Sequence, residues 1–251
     1  MPRYSITIEY DGTPFVGWQI QRDSATVQGA IVSAIQKFSG ETVKVQGAGR
    51  TDAGVHACGQ VAHFDLRREW NPYRVGEAIN YHLRPAPVGI LECRRVPDRF
   101  DARFSATKRH YLYRILCRRA PAALERNRVW RVSTPLDTNT MHDAAQVLIG
   151  QHDFTTFRAA ACQALSPIKT LDSLNVFERC GETHIEASAR SFLHNQVRSL
   201  AGSLKAVGAG KWSKADLKHA LDKADRSACA SVAPACGLYL MSIDYPETAL
   251  N

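Results

Sequence analysis

The residues best placed to do chemistry are Arg50 and Asp52. They lie two positions apart in Gly47-Ala48-Gly49-Arg50-Thr51-Asp52-Ala53-Gly54-Val55-His56-Ala57. A guanidinium near a carboxylate favours its charged form, so the pair can offer an ionised nucleophile or an anion anchor without a metal. Gly47, Gly49 and Gly54 permit positive φ and close approach of another molecule to the backbone. The bland role for Asp52 is an N-cap on a short helix beginning at Ala53. Nucleotide loops fit poorly. Gly49 and Gly54 have phosphate-loop spacing, but Val55-His56 stands where Lys and Ser/Thr are needed. In the dinucleotide fingerprint, Asp52 takes the place of the third glycine.

Those residues need a frame. The apolar run Thr42 to Val45 reads as a strand, which makes the glycine segment a strand-end loop, and Gln60 to Asp65 reads as the strand leaving it. Before it, Tyr4 to Tyr10 alternates with period two and closes at the Asp11-Gly12 turn. Val27, Ile31, Ala34, Ile35 and Phe38 form a helical stripe, with Ser24 or Thr26 to start it and Gly40 to end it. Asn71-Pro72 opens a second helix running through Tyr81, and Val88 to Val96 returns as a strand. Lys108 to Ile115 alternates again, with Tyr111, Tyr113 and Ile115 on one face. Met141, Ala145, Leu148 and Ile149 suggest a helix capped near Asn139 and ended by Gly150. Leu174 to Phe177 and Thr183 to Ala189 read as paired strands, and a helix follows Arg190 through Val207.

The undecapeptide around Asp52 resembles the signature of the tRNA pseudouridine synthase I family. So do Glu9-Tyr10-Asp11-Gly12 with Gly17-Trp18-Gln19, Phe100 to Thr107, Lys108 to Ile115, His152 to Ala159, Arg190 to Arg198, and Ala233 to Leu240. Thr156 stands where serine is common, and Gln196 where methionine is usual. The resemblance implies that Asp52 is the catalytic residue, that Arg198 pairs with it, and that Tyr111 packs against the target base. Arg50 is the candidate to occupy the space behind an extruded base or to hold a nearby phosphate. The implied reaction isomerises uridine to pseudouridine at positions thirty-eight to forty in the anticodon arm of tRNA. Attack by Asp52 at C1′ and attack at uracil C6 both remain open. A homodimer is implied as well.

The expected fold is α/β (α+β): two similar halves, residues 1–104 and 105–251, each an antiparallel sheet with helices, flanking a basic active-site cleft. The chain carries a net charge of +8, which suits a polyanionic partner. Between Arg94 and Arg131 lie twelve basic residues and only three acidic ones, Asp98, Asp101 and Glu125. An excess confined to one segment looks like an electrostatic footprint for RNA.

Seven cysteines make no C-x-x-C pair and read mostly as buried small hydrophobes in a reducing compartment. His184-Ile185-Glu186 has half of a deaminase site without the cysteines that complete it. No metal, nucleotide or redox cofactor is expected. The apolar runs are too short to span a membrane, and no signal-peptide core precedes the first strand, so a cytoplasmic protein is expected. The competing functions are a pseudouridine synthase acting on other RNA uridines, a non-catalytic RNA-binding protein, and a metal-free glycosidase that releases free base.

Overall fold

The computed structural model describes residues 1–250. In chain order the main elements are β1 (Arg3–Tyr10), α1 (Val27–Ser39), β2 (Gln46–Gly47), β3 (His56–Asp65), α2 (Pro72–Leu83), β4 (Val88–Val96), β5 (Lys108–Cys117) and β6 (Trp130–Val132). They continue with α3 (Thr138–Ala145), β7 (Gly150–Asp153), β8 (Ile168–Arg179), β9 (Glu182–Ala189), α4 (Gln196–Gly208), α5 (Lys214–Asp222), β10 (Leu238–Asp244) and α6 (Glu247–Leu250). Two compact units result: Met1–Arg109 with Tyr239–Asn251, and His110–Leu238. The mixed α/β class expected from sequence is the one observed.

In the first unit the strand order is β4-β1-β3-β10. β1 runs antiparallel to both β3 and β4, with Ile6 opposite Ala62 and Cys93. Alternation along β1 buries Tyr4, Ile6, Ile8 and Tyr10, as a strand with one core face requires. β10 joins as a parallel neighbour of β3, through Tyr239–His56 and Leu240–Ala57. Helix α1 starts where the Thr26 hydroxyl accepts from the Gly29 N–H, and it ends at Gly40 in the left-handed region. Helix α2 is capped by the Asn71 side chain, with Pro72 in its first turn. The expected strand over residues 42–45 does not form. Val43 is only half-buried where Val45 is buried, so the run has no second buried position to repeat, and the short β2 lies just beyond it.

The second unit contains β5-β9-β8-β7, with β6 parallel to β5. β8 and β9 form a hairpin across Cys180 and Gly181, both at positive φ (53° and 75°), the pattern of a two-residue primed turn. Helix α3 is capped by Asp137, whose carboxylate accepts from the Thr140 N–H, and not by Asn139 as the sequence suggests. Buried side chains of this unit include Tyr113, Ile115, Met141, Leu174, Ile185 and Leu200. No helix among the described residues is long and apolar enough to cross a membrane. The cysteines depart from expectation: Cys58 and Cys180 are exposed and the other five only partly buried.

Candidate active site

The loop that carries Arg50 and Asp52 is held at both ends. At its entry, Ala48 N–H donates to Val61 O (2.8 Å), and Gln60 Nε2 donates to Gly49 O (2.9 Å). Both bonds fold the chain back onto β3. The buried Arg109 adds a third, Nη2 donating to Ala48 O at 2.9 Å. A charged donor to a buried carbonyl is a stronger bond than a neutral one.

The exit is held by the segment after β1. Trp18 N–H donates to Thr51 O (3.0 Å), Gly54 N–H to Phe15 O (3.4 Å), and Gly12 N–H to His56 Nδ1 (3.1 Å). The Tyr10 and Thr51 hydroxyls share a buried 2.8 Å hydrogen bond. Gly17 and Asp52 form an isolated antiparallel bridge. His56 is itself wedged against the Tyr239 ring, stacked at 4.7 Å.

Val55 N–H donates to Asp52 O at 3.1 Å, closing a turn over residues 53–54. No helix begins at Ala53, so the helix-capping role for Asp52 is excluded. Asp52 is half-buried between the buried Thr51 and Val55, while Arg50 is exposed. Of the three loop glycines, only Gly54 takes a positive φ, 76°. Gly47 is needed for close approach instead, because a Cβ there would lie 2.6 Å from the Trp18 ring. Trp18 is 1% exposed and belongs to the scaffold under the loop, not to a base-stacking surface.

Two further candidates belong to the second unit. Tyr111 lies on β5, partly exposed, with the Phe192 ring edge-on at 5.1 Å. Arg198 lies in the first turn of α4, half-buried, its Nε donating to Ala233 O (2.9 Å) and its Nη1 to Asn195 Oδ1 (2.8 Å). Asn195 is in the left-handed region (φ 62°), which turns its side chain back toward that guanidinium. Gln196 is 1% exposed, and its Oε1 accepts from the Leu193 N–H at 2.8 Å. The departure at this position thus serves the turn that leads into α4.

The basic segment is not uniform. Nine of its twelve cationic side chains are exposed. Arg109 is buried among carbonyls, and Arg114 forms a two-pronged pair with Glu182 (both 2.8 Å) and reaches Glu125 (3.0 Å). Burial pushes the Glu182 carboxyl up, but its bonds to Arg114 and His184 outweigh this and hold it below the usual carboxylate range. His184 Nε2 lies 3.2 Å from Glu182 Oε2, so its place is beside this Arg–Glu pair. Among the described residues, no three His, Cys, Asp or Glu side chains gather to hold a metal ion.

Residues 6–105 and 144–246 match the model of a family described as tRNA pseudouridine synthase. The chain belongs to that family. The tRNA pseudouridine synthase A of Azorhizobium caulinodans is 61% identical over 98% of this chain and 96% of its own length. The proteins of the same name from Xanthobacter autotrophicus and Maricaulis maris are 60% and 59% identical. They match over 98% and 99% of this chain and the whole of their own length. For this family member, Arg50, Asp52 and Arg198 fall inside the matched segments, whereas Tyr111 lies between them. Sequence reasoning passed over Tyr10, Thr51, His56 and Arg109 as supports of the loop. Strand parity was the available signal for two of them: Arg109 shares a face with Tyr111, Tyr113 and Ile115, and Tyr10 with Tyr4, Ile6 and Ile8.

Proposed function

We propose that this protein rearranges uridine to pseudouridine in tRNA, at positions thirty-eight to forty of the anticodon arm, with Asp52 as the catalytic carboxylate. The reaction breaks the N1–C1′ bond, rotates the uracil and joins C5 to C1′. The C5 proton is lost and N1 gains one, so atoms and oxidation level are conserved. One observation carries the assignment. Hydrogen bonds with residues 12–18 and 60–61 fix the ends of the Asp52 loop, yet the carboxylate is left half-buried at its centre. Pre-organised charge of this kind favours a charged transition state, because little reorganisation is needed at the moment of reaction.

The other roles follow the same reading. Arg198, aimed by Ala233 O and Asn195, is the proposed partner that keeps Asp52 oriented. Tyr111 stacks on the extruded uracil. Leaving the helical stack costs a few kcal/mol, on the order of what one base–aromatic stack returns. Arg50, exposed beside Asp52, takes the vacated space or a flanking phosphate. Free cysteines at seven positions suit a reducing, cytoplasmic setting. A homodimer belongs to the same reading.

The test is tritium release from C5-labelled uridine in tRNA. Asp52→Ala is expected to abolish release while tRNA still binds. Wild-type turnover by that variant would remove Asp52 from the mechanism. Free uracil among the products would make the enzyme a glycosidase, and binding without release by the unaltered protein would leave an RNA-binding function alone.

A further inference from the structure

Phe104 is 75% exposed, while Phe100 and Ala102 beside it are fully buried. It stands on a turn fixed from several directions. Asp101 Oδ1 accepts from the N–H groups of Arg103 (2.8 Å) and Phe104 (2.9 Å), and Asp101 Oδ2 accepts from Gln46 Nε2 (2.7 Å). Ser105 N–H returns to Asp101 O (2.9 Å), and Ala102 N–H donates to His63 Nδ1 (3.0 Å). The Tyr245 hydroxyl donates to Ala102 O.

Arg109 ties this turn to the candidate active site. Its Nη2 donates to Arg103 O (2.8 Å) as well as to Ala48 O at the entry of the Asp52 loop. The Phe104 ring is thus carried on backbone held in register with the loop of Arg50 and Asp52. The Arg103 guanidinium lies across that ring, 5.5 Å from its centre. A lone exposed phenylalanine is ordinary on a protein surface. One on a turn braced to the catalytic loop, with an exposed cation across its ring, is suited to a flat anionic partner.

We propose that Phe104 and Arg103 form an RNA contact in which an unpaired tRNA base stacks on the phenyl ring and the guanidinium meets the adjoining phosphate. This inference rests on the tRNA reading given above. It adds a substrate-binding point distinct from Tyr111, which would hold a flanking nucleotide while the target uridine reaches Asp52. Stacking is indifferent to base identity, since every base has a π-face, so the contact contributes affinity and register without reading sequence.

The experiment measures tRNA binding to the full-length protein by fluorescence anisotropy at two salt concentrations, using unmodified transcript. Phe104→Ala is expected to raise Kd by about 5- to 150-fold, the range set by one base–aromatic stack. Its salt slope should be unchanged, and Phe104→Trp should restore affinity. Arg103→Gln should instead reduce the slope of log K on log salt by about one. A Phe104→Ala Kd within about twofold of wild type, set against a tenfold change per 1.4 kcal/mol, overturns the proposal. So does a change in subunit number by light scattering, which would make the ring a protein–protein contact. Should the unaltered protein bind tRNA without releasing tritium, the catalytic reading fails while the stacking contact is still decided by the Phe104 variants.

Discussion

Gly17→Ala isolates the claim that backbone contacts aim Asp52. Gly17 has φ +113°, a region an alanine enters only at a cost of roughly 1–3 kcal/mol. The added Cβ would also lie 2.7 Å from Thr51 O and 3.3 Å from both Ala53 N and the Asp52 carbonyl carbon. All three are backbone atoms, so no side-chain rotation relieves the collision, and overpacking adds roughly 1–3 kcal/mol. If the loop stays in place, the combined loss is about 2–6 kcal/mol, and a chain of this size should melt at least about 4 °C lower. If the loop yields, the stability loss shrinks, but Thr51 and Asp52 move. A misplacement of about 1 Å at the reacting group is worth about 100-fold in rate. Melting and single-turnover tritium release on one preparation separate the two cases. Gly49→Ala serves as the stability control, because nothing lies within 4 Å of a Cβ there. A Gly17→Ala protein with both melting temperature and turnover unchanged would refute the idea that the 12–18 segment positions the proposed catalytic carboxylate, Asp52.

Arg109→Met keeps length and apolar bulk but removes the charged donors to Ala48 O and Arg103 O. The expected loss is about 2–4 kcal/mol by urea unfolding, with kcat falling more than KM rises. His63 supplies a pH dependence. Burial first, then the Arg3 charge, holds its imidazole below the ordinary value of 6.5, and its Nδ1 accepts from Ala102 N–H only when unprotonated. Its contribution is complete above pH 6.5 and is lost as pH falls from there toward the folded value, because the unfolded chain binds the proton first. Unfolding free energies between pH 7.5 and 5.5 should slope less steeply, by up to about 1.4 kcal/mol per pH unit, in His63→Gln than in wild type. Gln196→Ala leaves the buried Leu193 N–H without its acceptor and should cost about 1–3 kcal/mol in urea unfolding. Arg198→Lys keeps the charge but not the fork that meets Ala233 O and Asn195 together, so turnover is expected to fall at least about tenfold with tRNA binding retained.

Much of the first unit was legible because its signals are local. The alternation of β1, the Thr26 and Gly40 ends of α1, the Asn71-Pro72 start of α2 and the span of β4 each follow from residues within one element. Three features were not. Residues 42–45 have strand composition but only Val45 is fully buried, and half-buried surface is what β-propensity measures. The cap of α3 lies two residues before the expected one, because Asn139 falls inside the first turn that Asp137 starts. The parallel pairing of β10 with β3 through His56 and Ala57 was the third. A parallel partner some 180 residues away leaves no mark in a local pattern.

The site divides in the same way. Arg50 and Asp52 could be proposed from sequence because the residues that would do chemistry and the turn that presents them lie within one short run. Much of what holds that run was illegible, because five of its seven bracing bonds end on a main-chain carbonyl, and main-chain atoms carry no residue type. Trp18 N–H and Ala48 N–H would offer the same bonds with other side chains in place. The sequence shows such contacts only where a side chain would obstruct them, as a Cβ on Gly47 would obstruct Trp18 and one on Gly12 would meet Val55 O at 2.0 Å. The opening motif, Glu9 to Gln19, is therefore better understood as the mould of the Asp52 loop than as a second binding site. On this view its buried Trp18 and its obstructing glycines are constrained by the position of residue 52 before any contact with RNA is considered.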